Sequence, residues 1–204
     1  MKISYAITVC NELEEVKRLV NFLLSNKRKE DEIVILFDEK NGTDEVFNYI
    51  ESQVHDCEVF CEKFEGHFAD WKNLLTSYCT GDYIFQIDAD EIPHINLIQN
   101  LPTMLSTNDI DMVRVPRVNT VEGLTQEHIQ KWGWNVNEKG WVNWADWQMR
   151  IYKNAPHIKW VNKVHEVLEG FRIHGMLPVE EEWALYHPKT IERQERQNNY
   201  YDTL

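Results

Sequence analysis

The chain is 204 residues long, 43% hydrophobic and 27% charged, which supplies apolar material for one sizeable core and excludes a disordered polymer. Its 21 Lys and Arg against 34 Asp and Glu leave a net charge of −13, a field that repels nucleic-acid backbone and anionic lipid headgroups, so no nucleic-acid partner is expected. The apolar runs, such as residues 33–37, are far shorter than the roughly 20 residues of a membrane-spanning helix, and residues 1–10 lead straight into the charged stretch 11–18 without a signal-peptide pattern, so no transmembrane segment is expected and the expected location is the cytoplasm.

Residues 3–10 are a short apolar run. Leu13, Val16, Leu19, Val20 and Leu23 follow at helical spacing, and residues 32–37 resume as a β-branched apolar run, which together read as a βαβ unit. The alternation repeats: Val46, Phe47, Ile50 and Val54 make a helical face, residues 57–60 a short strand, Phe68, Trp71, Leu75 and Tyr78 another helical face, and residues 83–87 a buried strand. Strands apolar on both faces suit a parallel sheet covered by helices, and Asn41-Gly42, Gly66 and Thr80-Gly81-Asp82 supply turns between the units. After Glu91 the rhythm changes. Pro93, Pro102 and Pro116 bracket a short helix at 97–105 and a strand at 112–118, and five tryptophans, Trp132, Trp134, Trp141, Trp144 and Trp147, then crowd a window with few helix signals. Residues 148–152 and 164–168 read as antiparallel strands, and 191–201 as a polar helix. Nothing reads as a repeat or a linker, so one domain is expected over 1–204, with residues 1–92 and 93–204 as its two halves. The four cysteines, Cys10, Cys57, Cys61 and Cys79, include no CxxC pair and read as buried thiols, with zinc at Cys57 and Cys61 the alternative.

In an open α/β sheet, ligands sit beyond the carboxyl ends of the strands, which directs attention to residues 8–12, 38–44 and 88–91. These ends are polar or acidic, which suits an anionic ligand only through a cation. Asp88-Ala89-Asp90-Glu91, delivered by the apolar run before it, places two carboxylates two residues apart, where a magnesium-type ion can take one or two and leave its other positions to phosphate oxygens and water. A solvated acidic turn is the competing reading of such a DxD, and its place after a buried strand favours the metal.

Taken in order, Ala6-Ile7-Thr8-Val9-Cys10-Asn11-Glu12, Glu32–Asp38 with Gly42-Thr43-Asp44, Trp71-Lys72-Asn73, and Thr80–Glu91 resemble the family-2 glycosyltransferases with the nucleotide-sugar-binding GT-A fold. The resemblance covers residues 3–92 and implies a Rossmann-like, mostly parallel central sheet flanked by helices, with a smaller antiparallel acceptor-side region. It also implies Thr8, Asn11 and Glu12 near the base and ribose, Asp38 on the base, Lys72 near base or phosphate, Asp88 with Ala89 toward the ribose, and Asp90 on a divalent metal, manganese or magnesium. The stretch Phe37-Asp38-Glu39-Lys40-Asn41 departs from the consecutive acids and small turn usual in the family. The implied donor is a nucleoside diphosphate sugar, with a uridine diphosphate sugar expected, and the implied acceptor contains a saccharide.

Transfer with inversion needs a carboxylate to take the acceptor proton. Asp146, in Trp144-Ala145-Asp146-Trp147-Gln148-Met149-Arg150, lies in a segment similar to the one where related enzymes carry that base, with Glu166 the alternative. Val164-His165-Glu166 resembles the Val-His-Glu of bacterial family-2 enzymes that extend lipopolysaccharide cores, which makes His165 a candidate metal ligand, and His187 in Leu185-Tyr186-His187-Pro188 is the second candidate. Trp144 and Trp147 flank the candidate base and are placed against acceptor or donor sugar, because indole rings stack on the apolar faces of sugars as well as packing cores. Two rival readings share the fold. A catalytically silent module would use the aromatic window to bind glycan or protein, and a nucleotidyltransferase would need a Gly-rich basic loop where Cys10-Asn11-Glu12-Leu13-Glu14-Glu15 stands.

Overall fold

The structure is a computed structural model that describes residues 1–201. Strand β1 (Ile3–Val9) leads through helix α1 (Leu13–Asn26) to β2 (Glu32–Asp38), and α2 (Asp44–Glu51), β3 (Glu58–Glu62), α3 (Phe68–Tyr78) and β4 (Tyr83–Asp88) continue the alternation. The second half contributes β5 (Ile92–Pro93), α4 (Ile95–Thr107), β6 (Met112–Glu122), α5 (Gln126–Trp132), β7 (Val142–Lys153), β8 (Lys159–Val161), β9 (Val167–Glu169), β10 (His174–Met176), a 3-10 turn at Glu181–Trp183, β11 (Leu185–Thr190) and α6 (Ile191–Tyr201). No helix among the described residues is long and apolar enough to cross a membrane.

The main sheet has the order β3-β2-β1-β4-β7-β6-β11-β5, with β10 beside β6. Its first four strands are parallel, as helix crossovers on a βαβ plan require. The second half then joins the same sheet through β7, antiparallel to both β4 and β6, while β11 returns parallel to β6. A separate antiparallel pair, β8–β9, completes the expected mixed α/β architecture.

Burial on both faces explains the uninterrupted apolar strands. One face of β1, β2 and β4 (Ile3, Tyr5, Ile7, Ile33, Ile35, Phe85) packs on Val16, Leu19 and Leu23 of α1, Val46 and Ile50 of α2, and Leu97 and Leu101 of α4. The other face (Ala6, Val34, Leu36, Ile84) packs on Ala69, Trp71 and Leu75 of α3 together with Trp160 of β8 and Leu168 of β9. Residues from both halves therefore share both cores.

Several local expectations are corrected. Phe47 and Val54 are 36% and 53% exposed: the buried face of α2 is Val46 and Ile50, with Phe47 off that face and Val54 beyond the helix end at Glu51. Pro102 and Pro116 sit inside α4 and β6 rather than bracketing them. Each costs one backbone donor, which Pro102 offsets by its own burial and β6 accommodates between two register shifts. The tryptophan window begins at the last residue of α5, Trp132; the helix starts on a capping box in which Thr125 and His128 exchange hydrogen bonds and is closed by Gly133 with φ +64°. The second predicted strand pair is also redistributed: residues 148–152 belong to the long β7, and 164–166 form a turn before β9.

Candidate active site

Because β1, β2 and β4 run parallel, their carboxyl ends meet along one edge of the sheet. A cleft of about 1500 Å³ opens there, larger than the roughly 300–1,000 Å³ of an ordinary small-molecule pocket. The first half lines it with Thr8, Asn11, Glu12, Asp38, Lys72, Asp88, Ala89 and Asp90. The second half adds Asp146, Trp147, His165, Glu166 and His187. Positions 8 to 187 of the chain thus converge on one opening, as the carboxyl-end rule for open sheets requires.

The strand-end acids differ in how their oxygens are used. Asp38, 4% exposed, accepts hydrogen bonds from the Lys40 amide (2.9 Å), Asn41 Nδ2 (2.7 Å) and the Phe64 amide (3.1 Å), so it closes its own turn. Gly42 is required in that turn, since a Cβ there would lie 2.2 Å from the Phe37 ring and 2.5 Å from the Asp38 carbonyl oxygen. The unusual Glu39-Lys40-Asn41 stretch is therefore held by Asp38 itself. Glu12 accepts from the amides of Cys10 and Asn11 at 2.9 and 3.0 Å, organising the entry to α1. Burial, then the neighbouring Glu12 and Asp38, push the Cys10 thiol up to about 12, which leaves it a neutral thiol rather than a nucleophile.

At the end of β4 the chain turns inward. Glu91, fully buried, accepts from the Asp88 amide at 3.2 Å and takes the guanidinium groups of Arg150 (2.6 Å) and Arg117 (3.0 Å). Arg150 also donates to Asp88 and, at 2.7 Å, to Gln86. Burial pushes the Asp88 carboxyl up, but Arg150 and Lys72 beside it override this and hold it well below the usual range. Asp90 is thereby presented to the cleft by a turn whose inner side is charge-paired. Lys72, on the first turns of α3, pairs with Glu166 and lies 4.6 Å from the centre of the Trp160 ring, which ties α3 to the turn before β9.

The far wall is built by alternate residues of β6. Arg117 donates to Asp146 Oδ2 through Nε (2.9 Å) and Nη2 (2.6 Å), and Asn119 Nδ2 donates to the same oxygen at 2.9 Å. Gln148 Nε2 donates to Oδ1 at 2.8 Å. Burial pushes the Asp146 carboxyl up, and Arg117, Asn119 and Gln148 outweigh it, so the group stays ionised below the ordinary carboxylate range. His187, 8% exposed on β11, meets Asn119 Oδ1 through Nδ1 at 2.7 Å and Asp90 Oδ2 through Nε2 at 3.2 Å. Arg193 of α6 reaches over to Asp90 (3.3 Å), Glu15 (2.7 Å) and Glu12 (3.7 Å).

Among the described residues no three His, Cys, Asp or Glu gather into a metal-holding group. The pair Asp90 and His187 nonetheless fits a divalent ion held mainly by its ligand, since a carboxylate oxygen and an imidazole nitrogen already face each other across 3.2 Å and such ions accept one or two protein ligands beside phosphate and water. His187 is the histidine paired with Asp90; His165 lines the cleft from the 164–166 turn with φ +53°. Trp147 lines the cleft opposite Pro116 of β6, whereas Trp144 packs edge-on against Trp141 with ring centres 4.8 Å apart and Trp134 takes a place in the lining instead. Sequence reading missed Arg117, Asn119 and Arg193. The first two carry a signal, polar residues on either side of the buried Val118 in β6; Arg193 carries none, because its partner Glu15 is 178 residues away.

The family model described as Glycosyl transferase family 2 matches residues 4–168. Glycosyltransferase SunS of the SPbeta prophage in Bacillus subtilis strain 168 is 28% identical over 124 residues, which cover 59% of this chain and 28% of SunS. SunS of Bacillus phage SPbeta gives the same values. The chain thus matches little more than a quarter of the length of these relatives. Among solved structures, residues 1–349 of TarS from S. aureus in complex with UDP-GlcNAc superpose with a TM-score of 0.62 at 14% identity, covering 93% of this chain and 59% of that one. A longer TarS structure gives 0.64 at 14% identity, covering 92% and 37%. At that identity the likeness is one of fold.

Proposed function

The chain belongs to glycosyltransferase family 2, and from that premise we propose that it moves a sugar from a nucleoside diphosphate sugar to a saccharide-containing acceptor, with inversion and with a divalent cation, manganese or magnesium. Residues 1–92 hold the donor: Thr8, Asn11, Glu12 and Asp38 border the base and ribose, Asp88 and Ala89 follow, and Asp90 with His187 faces the diphosphate. The cation, when bound, neutralises charge on the leaving diphosphate. Residues 93–204 hold the acceptor and supply the base.

The observation that carries this reading is the pairing, across one cleft, of the Asp90–His187 contact with an Asp146 that is kept ionised. Asp146 Oδ2 already takes three donor hydrogens from Arg117 and Asn119, while Oδ1 takes only that of Gln148. Oδ1 is therefore the oxygen with capacity for the acceptor proton. The acceptor oxygen attacks the anomeric carbon as its proton passes to Oδ1, and the bond to the diphosphate oxygen breaks on the opposite face. Glu166 is committed to Lys72, which favours Asp146 over it as the base. The UDP-GlcNAc in the TarS structure supports a uridine donor.

A thermal-shift panel of UDP and GDP, with and without manganese, tests the donor site. UDP at one hundred times its dissociation constant stabilises by about 2.7 kcal/mol only when the cation is present, and Asp90→Asn removes that effect while melting as a folded protein. Stabilisation that persists in chelator defeats the cation-bridged site.

A further inference from the structure

The imidazole of His187 and the carboxylate of Asp146 do not touch, yet one side chain binds both. Asn119 stands on β6 directly opposite His187 in the parallel β6–β11 register, and two residues beyond the Arg117 that faces Asp146 in the β6–β7 register. Its two ends make contacts at 2.9 Å to Asp146 Oδ2 and 2.7 Å to His187 Nδ1. The chemistry of the partners dictates which end is which. An ionised carboxylate only accepts, so the amide NH₂ must face Asp146; the amide oxygen then faces His187 and can only accept, so Nδ1 must carry a hydrogen. In a neutral imidazole this leaves Nε2 bare, its lone pair directed at Asp90 Oδ2 only 3.2 Å away. Two acceptors in that arrangement repel unless a proton or a cation lies between them.

We infer that Asn119 is a positioning residue, which holds His187 in the tautomer that offers Nε2 toward Asp90 and, with its other end, orients Asp146 as the base. This rests on the donor and base assignments proposed above. It gives a physical reason for an amide at this position, since only a group with a donor at one end and an acceptor at the other satisfies both neighbours. A carboxylate of the same shape keeps the acceptor for His187 Nδ1 and sets an anion against Asp146. An alanine removes both contacts.

The two substitutions therefore separate the two ends. The probes are manganese and UDP, read as the manganese concentration that gives half of the UDP-dependent thermal shift, and release of UDP from a UDP-sugar. Asn119→Ala raises the manganese requirement and lowers turnover by about 10- to 100-fold each, the range for groups that orient metal ligands. Asn119→Asp keeps the manganese requirement within about threefold of the parent while lowering turnover at least about tenfold. Unchanged manganese requirement in Asn119→Ala, or equal shifts of it in both variants, overturns the positioning role. Should Asn119→Ala fail to fold, Asn119→Asp decides alone: parental turnover, or a manganese requirement raised about tenfold or more, overturns it. A parent protein that shows no manganese-dependent UDP shift overturns the donor-site reading itself, whereas a parent that shows it beside unaffected variants overturns the role of Asn119 only.

Discussion

Buried and half-buried acids gather at both ends of strands β1, β2 and β4, and the two ends use them differently. At the amino end, Asp31 accepts from the Ile3 amide at 2.9 Å and from Arg28 Nη2 and Nε at 2.7 and 2.9 Å, and Glu32 takes Lys2, Ser4 and both the amide and hydroxyl of Thr80. Every carboxylate oxygen there is filled by neighbours that the crossovers bring together, and nothing is left for a ligand. At the carboxyl end, Asp88, Asp90 and Asp146 are met by Arg150, His187, Arg193 and Arg117, residues of the second half, and the group faces a cleft. Burial of an acid does not distinguish holding the fold from holding a substrate. What distinguishes them is whether the acids face a cleft with hydrogen-bonding capacity to spare: at the carboxyl end Asp146 Oδ1 takes a single donor, Gln148, and His187 Nε2 meets only Asp90 Oδ2.

The contrast is sharpest in rate. Asp146→Asn slows sugar transfer by roughly 10²- to 10⁴-fold, the range for a general base, and leaves manganese-dependent UDP binding intact; Glu166→Gln is the control. If Glu166→Gln loses transfer and Asp146→Asn keeps it, the base belongs to the 164–166 turn. One layer deeper, the carboxyl end behaves like the amino end. Arg150→Met leaves Glu91, fully buried, with only Arg117 to balance it, and costs about 3–5 kcal/mol in urea unfolding, the cost of breaking a buried pair from one side. A midpoint near the parent's would make the Arg150 cluster part of the ligand site instead.

At the amino end the effect is smaller and purely one of stability. Burial pushes the Glu32 carboxyl up, but hydrogen bonds from Lys2, Ser4 and Thr80 bring it down to about 2 from 4.5. A carboxyl depressed in the folded state contributes fully above its unfolded value and loses that contribution as pH falls through the folded one. Glu32→Gln therefore costs roughly 1–3 kcal/mol at neutral pH, and the gap between variant and parent narrows between pH 4.5 and about 2, with no change in UDP binding. Parallel stability curves down to acid pH would show that Glu32 is not the group responsible.

The βαβ alternation and the acidic strand ends were legible in the linear chain because hydrophobic period and turn chemistry are local: Val16, Leu19, Val20 and Leu23 repeat at helical spacing and bury as one face, and residues 83–87 deliver Asp88 and Asp90 to a strand end. The capping box at Thr125 is equally local, but its N3 residue is His128 in place of the usual Glu or Gln, so the common sequence pattern does not mark it. The family resemblance of residues 3–92 rests on such local pieces. The second half of the site could not be read this way, because β7 and β6 insert between β4 and β11, and that strand order is written in no sequence interval. It sets Asn119 beside His187 across 68 residues, Arg150 beside Asp88 across 62 and His187 beside Asp90 across 97. Local patterning thus determined the strands of the first half and that their carboxyl ends are acidic. Only strand pairing decided which distant arginine, amide and imidazole balance those acids, because hydrogen bonds and ion pairs depend on spatial distance and chain separation carries no information about it.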